Sequence, residues 1–457
     1  MTDAIAGLPF WGVRFDAEGD PDDGGRDALL AEVPARGITD LFVFSHGWNN
    51  DPGTARRLYD GFFGILAGQS GTGPRNRPVI VGLAGVVWPS QRWSDEPIPD
   101  FAPATAAAGG AAAATPVQTA ASEAARATID DATLKQLKAT FPPASAVLER
   151  MAALLEGPPT DEAQAEFHAG LKEFAALSGN ANDDGEGDPA AAPDEPRMLE
   201  DDHTTLFERY RDALQASGVD LAGAGGEAGI GDLARAIWNG AKEALRGATY
   251  WEMKNRAGTI GRVGLAPLLA QLHGAAPQLR IHLIGHSFGA RLVSYALAGL
   301  PADLSPSPVA SLTLLQGAFS HFAFARPLPF DAGREGALAG MQARIDGPLT
   351  VCFSTHDGAV GRLYPLASIA SGDDSAAADD PLYRWGGMGA DGAQGVDVAL
   401  DGIQPAGRDA TYRFSRDRVL NVDASEIVRA GGPPSGAHSD IVHPELTWIV
   451  LSAAGLV

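Results

Sequence analysis

The stretch Ile281-His282-Leu283-Ile284-Gly285-His286-Ser287-Phe288-Gly289-Ala290 decides how this chain is read. Residues 281–284 form a short apolar run bounded by glycine, as a buried strand does, and residues 290–298 follow a helical pattern. Between them stands Gly-His-Ser-Phe-Gly, a G-x-S-x-G turn in the strand–turn–helix setting that gives this motif its meaning. A turn that tight forces the serine into a strained backbone conformation. Gly285 and Gly289 pass close to each other there, and a side chain at either would clash. The strain presents the Ser287 hydroxyl at the carboxyl end of a strand, where ligands bind in open α/β sheets. The helix starts at the serine, so its free N–H groups and dipole favour a developing negative charge.

A second signal lies upstream, in Leu41-Phe42-Val43-Phe44-Ser45-His46-Gly47-Trp48-Asn49-Asn50. An apolar strand runs into His-Gly and a polar turn, and the glycine lets backbone N–H groups face the site. The N–H of Trp48 and that of Phe288 are the candidate oxyanion donors. Asn50 or Asp51 can also cap a helix beginning near Gly53, and the two roles are compatible.

Further out, strand patterns at residues 10–15, 41–44, 78–83, 86–88, 281–284, 309–315, 349–353 and 418–422 alternate with helical patterns at 53–67, 259–273, 288–299 and 444–454. This predicts an α/β chain with a mostly parallel central sheet flanked by helices. Residues 1–88 and 254–457 carry that alternation. Residues 89–253 read as a mostly helical insertion, with helices near 130–157 (broken at Pro142-Pro143), 161–177, 203–216 and 231–247. Inside it, residues 101–125 are alanine-dominated. Residues 179–202 carry nine Asp or Glu against Arg197 alone and are predicted to be a disordered acidic loop. Tyr250 to Arg256 stand where the insertion rejoins the core, either over a pocket or as an anchor. Gly258-x-x-Gly261-x-x-Gly264 follows no strand and is not read as a dinucleotide loop.

Composition narrows the function classes. The 457 residues carry a net charge of −23, which argues against nucleic-acid binding and leaves small or lipid-like substrates open. The single cysteine, Cys352, lies within a strand pattern and reads as a buried, inert thiol. One cysteine and no H-E-x-x-H spacing give no reason to expect a metal. No apolar run reaches the roughly 18 residues of a membrane span, though transient contact with a membrane surface is compatible with the sequence. The first ten residues lack a basic n-region, so no signal peptide is read and a cytoplasmic location is expected.

These motifs, His46-Gly47 followed by Gly285-His286-Ser287-Phe288-Gly289, resemble the α/β-hydrolase superfamily, and most closely its lipase- and esterase-like bacterial serine hydrolases. The resemblance covers the two flanking parts and not the insertion. It implies a triad in the order serine, acid, histidine. Its acid normally follows the second strand after the elbow strand, which points to Asp357 in Ser354-Thr355-His356-Asp357-Gly358, with Asp331 as the alternative. Its histidine commonly sits in a loop ahead of a terminal helix. His438 lies on such a loop, rich in Gly and Pro and suited to a moving catalytic residue. His443, followed by Pro444, reads as a helix start. His46, His286 and His321 are candidate pocket residues. The resemblance implies carboxylic-ester cleavage through an acyl-enzyme without a cofactor. A peptidase, amidase or thioesterase on the same triad is the alternative, as is a non-catalytic scaffold that keeps the fold. Family members often carry a cap or lid after the sixth strand; here the insertion comes earlier. Oligomeric state is not legible.

Overall fold

A computed structural model describes residues 3–71, 77–90, 93, 101, 127–178, 197–216, 230–363, 386–407, 409–432 and 435–457. The alanine-rich run beyond Phe101, residues 179–196 of the acidic segment and the glycine-rich stretch at 223–229 lie outside the described residues. The expected acidic loop ends earlier than predicted. Arg197–Glu200 form a 3-10 turn with Leu199 buried, and Asp202 accepts from the N–H groups of Thr204 and Thr205 at the start of the next helix.

Among the described residues the frame is one nine-stranded sheet. Its strands are β1 (Asp3–Ile5), β2 (Leu8–Arg14), β3 (Asp40–Ser45), β4 (Val81–Val87), β5 (Arg280–His286), β6 (Val309–Leu315), β7 (Leu349–Phe353), β8 (Val398–Gly402) and β9 (Val419–Asp423). Their spatial order is β1-β2-β4-β3-β5-β6-β7-β9-β8, and every pairing except β1 with β2 is parallel. All residues of β3, β6 and β7 are buried, which is why these strands read as continuous apolar runs. Edge strand β8 alternates exposed and half-buried residues and has no such run, so the sequence did not announce it.

Helices cover both faces. On one, α1 (Asp23–Ala35) is N-capped by Asp22, and α2 (Pro52–Gln69), on the other, is capped by Asp51, whose side chain accepts from Thr54 N–H at 2.7 Å. Phe44, Tyr59, Phe62 and Phe63 interlock between β3 and α2. The C-terminal α10 (Pro444–Ala453) completes that layer. The opposite layer joins the sheet to α3 (Asp131–Thr140), α4 (Ser145–Leu154), α5 (Asp161–Ser178), α6 (His203–Ala216) and α7 (Ile230–Thr259) through one continuous apolar core.

The boundary expected at residue 253 is not a break. The 30-residue α7 runs through it, passes a π-helical turn (Ile260–Leu265) and continues as α8 (Ala266–Ala275). In that turn a Cβ on Gly261 would lie 2.1 Å from the carbonyl oxygen of Leu292 in α9 (Phe288–Gly299). Gly258 and Gly261, not read as a nucleotide loop, serve this close helix contact, while a Cβ on Gly264 would fall 2.4 Å from the Gly19 carbonyl oxygen.

A buried polar knot pins the amino ends of three strands. His282 in β5 lies 2.8 Å from Ser311 Oγ in β6 and 3.2 Å from Asp40 Oδ1 in β3, while Arg77 grips Asp40 with both terminal nitrogens. Burial alone would raise the Asp40 pKa; hydrogen bonds from His282, Arg77 and Thr39 outweigh it and hold the carboxyl well below its usual range. Asp40 therefore stabilises the fold above the ordinary carboxylate pKa, and that stabilisation is lost as pH falls below about 4 toward the depressed folded value. Denaturant unfolding should show Asp40→Asn less stable by about 3 kcal/mol at pH 7. The gap should narrow below pH 4; a gap independent of pH would contradict this assignment.

Candidate active site

Ser287 sits between β5 and α9 at φ 56° and ψ −125°, a conformation that costs a non-glycine residue about 1–3 kcal/mol. Its surroundings leave no alternative. A Cβ on Gly285 would fall 2.5 Å from the Gly289 carbonyl oxygen, and one on Gly289 would fall 2.1 Å from that of Ser45. The Ser287 N–H donates to Leu315 O at 3.1 Å, and its carbonyl accepts from Ala290 and Ala318. The serine is 4% exposed.

The β3 turn lies against it. A Cβ on Gly47 would come 3.0 Å from Ser287 Oγ, so the following peptide, which carries the Trp48 N–H, borders the hydroxyl. Asn50 braces this turn by donating from Nδ2 to the carbonyls of Gly47 (3.2 Å) and Trp48 (2.8 Å). Asp51, not Asn50, caps α2. Among the described residues, neither the Trp48 nor the Phe288 backbone N–H donates to another group.

Asp357 and His438 meet, with Asp357 Oδ2 2.8 Å from His438 Nδ1. Their loops are stapled together. Ala437 N–H donates to His356 O at 2.9 Å, and Gly358 and Ala359 N–H groups both donate to Ser435 O at 3.1 Å. The Gly/Pro-rich composition suggested a moving loop; these backbone bonds fix its histidine-bearing end. His286 ties the same end to the elbow. Its Nε2 lies 2.8 Å from the His438 carbonyl oxygen, and the two rings are 4.9 Å apart.

The alternatives lie elsewhere. Asp331 sits in a local turn, where its side chain accepts from Gly333 N–H. His443 pairs with Asp440 at 2.8 Å, and Asp440 also accepts from the N–H groups of Arg429 and Ala430, so this pair clamps the chain entering α10. His321 faces Asp391, 2.9 Å from both carboxylate oxygens, and no described contact joins it to Ser287. His46 is stacked on Trp88, and both its nitrogens are engaged, Nδ1 with Gly47 O and Nε2 with Trp88 N–H. It braces the turn and offers no atom to a pocket. Cys352 is buried, and burial pushes its thiol up to about 12.

Tyr250, ambiguous in sequence, packs on both oxyanion candidates, 4.6 Å from the Phe288 ring and 5.5 Å from the Trp48 ring. Helix α7 is thus a wall of the site. Sequence reasoning missed the Asn50 brace and the His286 tie; the tie spans 152 residues and has no local signature. Among the described residues, no group of three or more His, Cys, Asp or Glu could hold a metal ion, and no helix is long and apolar enough to cross a membrane. No family model, curated protein or solved structure matches the chain.

Burial pushes the His286 pKa down to about 3 and that of His46 down to about 4. Both should keep the neutral-imidazole signature in NMR titration down to about pH 5, where an ordinary histidine, with pKa about 6.5, is already charged. A midpoint near 6.5 at either would contradict the burial described.

Proposed function

We propose that the chain is a serine hydrolase of the α/β-hydrolase type that cleaves carboxylic esters through an acyl-enzyme. One observation carries the reading. A strained serine at a strand–helix turn stands beside two unengaged backbone N–H groups, and a His–Asp pair is tied to that same turn. The acid follows the second strand beyond the elbow and the histidine precedes the terminal helix, the order that the resemblance implies.

In this mechanism Ser287 Oγ attacks the ester carbonyl carbon while His438 takes its proton at Nε2. Asp357 accepts from Nδ1, fixing the tautomer and stabilising the imidazolium. The N–H groups of Trp48 and Phe288 bind the oxyanion. Collapse expels the alcohol, which takes the proton from His438 and leaves acylated Ser287. A water deprotonated by His438 then releases the acid. No step calls for a metal or an organic cofactor. The substrates are small-molecule or lipid esters met in the cytoplasm, and Tyr250 of α7 borders the carbonyl site.

Rapid mixing with a 4-nitrophenyl ester should release a burst of one nitrophenolate per chain before steady turnover. Ser287→Ala should remove burst and turnover. Asp357→Asn should lower kcat by about 10⁴-fold, while His443→Ala stays near wild type. The matching anilide should turn over far more slowly than the ester. Turnover that survives Ser287→Ala would overturn the proposal, and an anilide cleaved as fast as the ester would favour an amidase.

A further inference from the structure

Gln316 stands directly beside the nucleophile and carries two costs at once. The last register pair between β5 and β6 is His286 with Leu315, so Ser287 and Gln316 are the next residues on neighbouring strand tips. The chain around Gln316 is bonded to both sides of the serine. Leu315 O accepts the Ser287 N–H, and the Ala318 N–H donates to Ser287 O. The first cost is backbone strain: Gln316 has φ 43°, where side chains are rarely tolerated. Its N–H bond to Cys352 O and the packing of Gly389 against its backbone hold it there; a Cβ on Gly389 would lie 2.5 Å from the Gln316 carbonyl carbon. The second cost is polar. The residue is 0% exposed, and among the described residues neither the oxygen nor the nitrogen of its carboxamide has a hydrogen-bond partner. Burying such a group unsatisfied is expensive, and an apolar side chain would avoid the penalty. The strand that leads into it, β6, reads Val-Ala-Ser-Leu-Thr-Leu-Leu and is dominated by apolar residues.

A second orphan lies on the other side of Ser287. β5 is flanked by β3 and β6, and the turn leaving β3 carries Trp48. Among the described residues its buried indole Nε1–H has no acceptor, and its ring lies 6.4 Å from that of Phe288. Among the described residues Gln316 is the one whose side chain has two such orphaned atoms, and rule-breaking residues concentrate at functional or strained sites.

Resting on the serine-hydrolase reading, we propose that these strand tips recognise an uncharged hydrogen-bonding group carried by the ester near its carbonyl, with Gln316 as the specificity-determining residue. The substrate class is thereby narrowed from plain alkyl esters to esters bearing a hydroxyl or amide beside the scissile bond. The carboxamide offers a donor and an acceptor, and the indole a donor. Neither brings charge, so an ionised substituent would be desolvated there without a counter-ion.

The test measures kcat and KM for matched ester pairs. In one arm the leaving group stays 4-nitrophenol and the acyl part is butanoate or 3-hydroxybutanoate. In the other the acyl part stays butanoate and the alcohol is propanol or 1,3-propanediol. Wild type should favour the hydroxylated member of one pair by about tenfold or more in kcat/KM. The near-isosteric Gln316→Met should shrink that ratio to within about threefold, through loss of kcat/KM for the hydroxylated member. It should also melt about 2 °C higher or more, because an unsatisfied group has been removed. Gln316→Leu serves as the second apolar variant. An unchanged ratio in Gln316→Met, no preference by wild type in either arm, or a lower Tm in both variants would overturn the proposal. Turnover persisting in Ser287→Ala would instead refute the serine-hydrolase reading, so the two failures are separable.

Discussion

The backbone of Gly289 lies so close to the carbonyls of Ser45 and His46 that a Cβ there would come within 2.1 and 2.4 Å of them. This contact sets the depth at which α9 starts, and so the strained conformation of Ser287. It also brings Gly47 against the serine, which positions the Trp48 peptide beside the hydroxyl. Because β3 and β5 are paired residue for residue from Asp40 with Arg280 to Ser45 with Gly285, the register of the sheet carries through to this contact. The polar knot of Asp40, His282 and Ser311 at the opposite end of β3, β5 and β6 holds the same register from below.

A histidine facing an aspartate is by itself poor evidence of catalysis here. Among the described residues there are five such pairs: His203 with Asp161, His282 with Asp40, His321 with Asp391, His438 with Asp357, and His443 with Asp440. Four of them cap, clamp or pin elements. What separates His438 is its attachment, since its carbonyl is held by His286, the residue before the serine. The neutral state of His286 suits that task, because a neutral imidazole can donate from Nε2 without placing a buried charge beside His438.

Features that depend on neighbours in sequence were legible. The apolar runs of β3, β6 and β7 and the elbow glycines are local, and each carries a physical requirement of its own. The pairing of Asp357 with His438 was reachable through the order that the resemblance implies, in a parallel sheet that delivers its carboxyl-end loops to one edge. Features made by distant segments were not legible. The edge strands β1 and β8 have no apolar run. The helix patterns at 231–247 and 259–273 gave no sign of the continuous α7, since a helix that crosses from insertion to core changes its packing partners along its length. Asn50 read as a cap, and only the folded turn shows its amide reaching back to two carbonyls. Gln316 drew no attention in sequence because its cost is a missing partner, a property of the packed molecule alone.

The most direct measurement is covalent labelling of the intact protein with a fluorophosphonate, followed by intact mass and peptide mapping. The account predicts one adduct per chain on Ser287, absent from Ser287→Ala and formed much more slowly in His438→Ala. A folded wild-type protein that takes no adduct, or takes it at another residue, would contradict an activated serine at this turn.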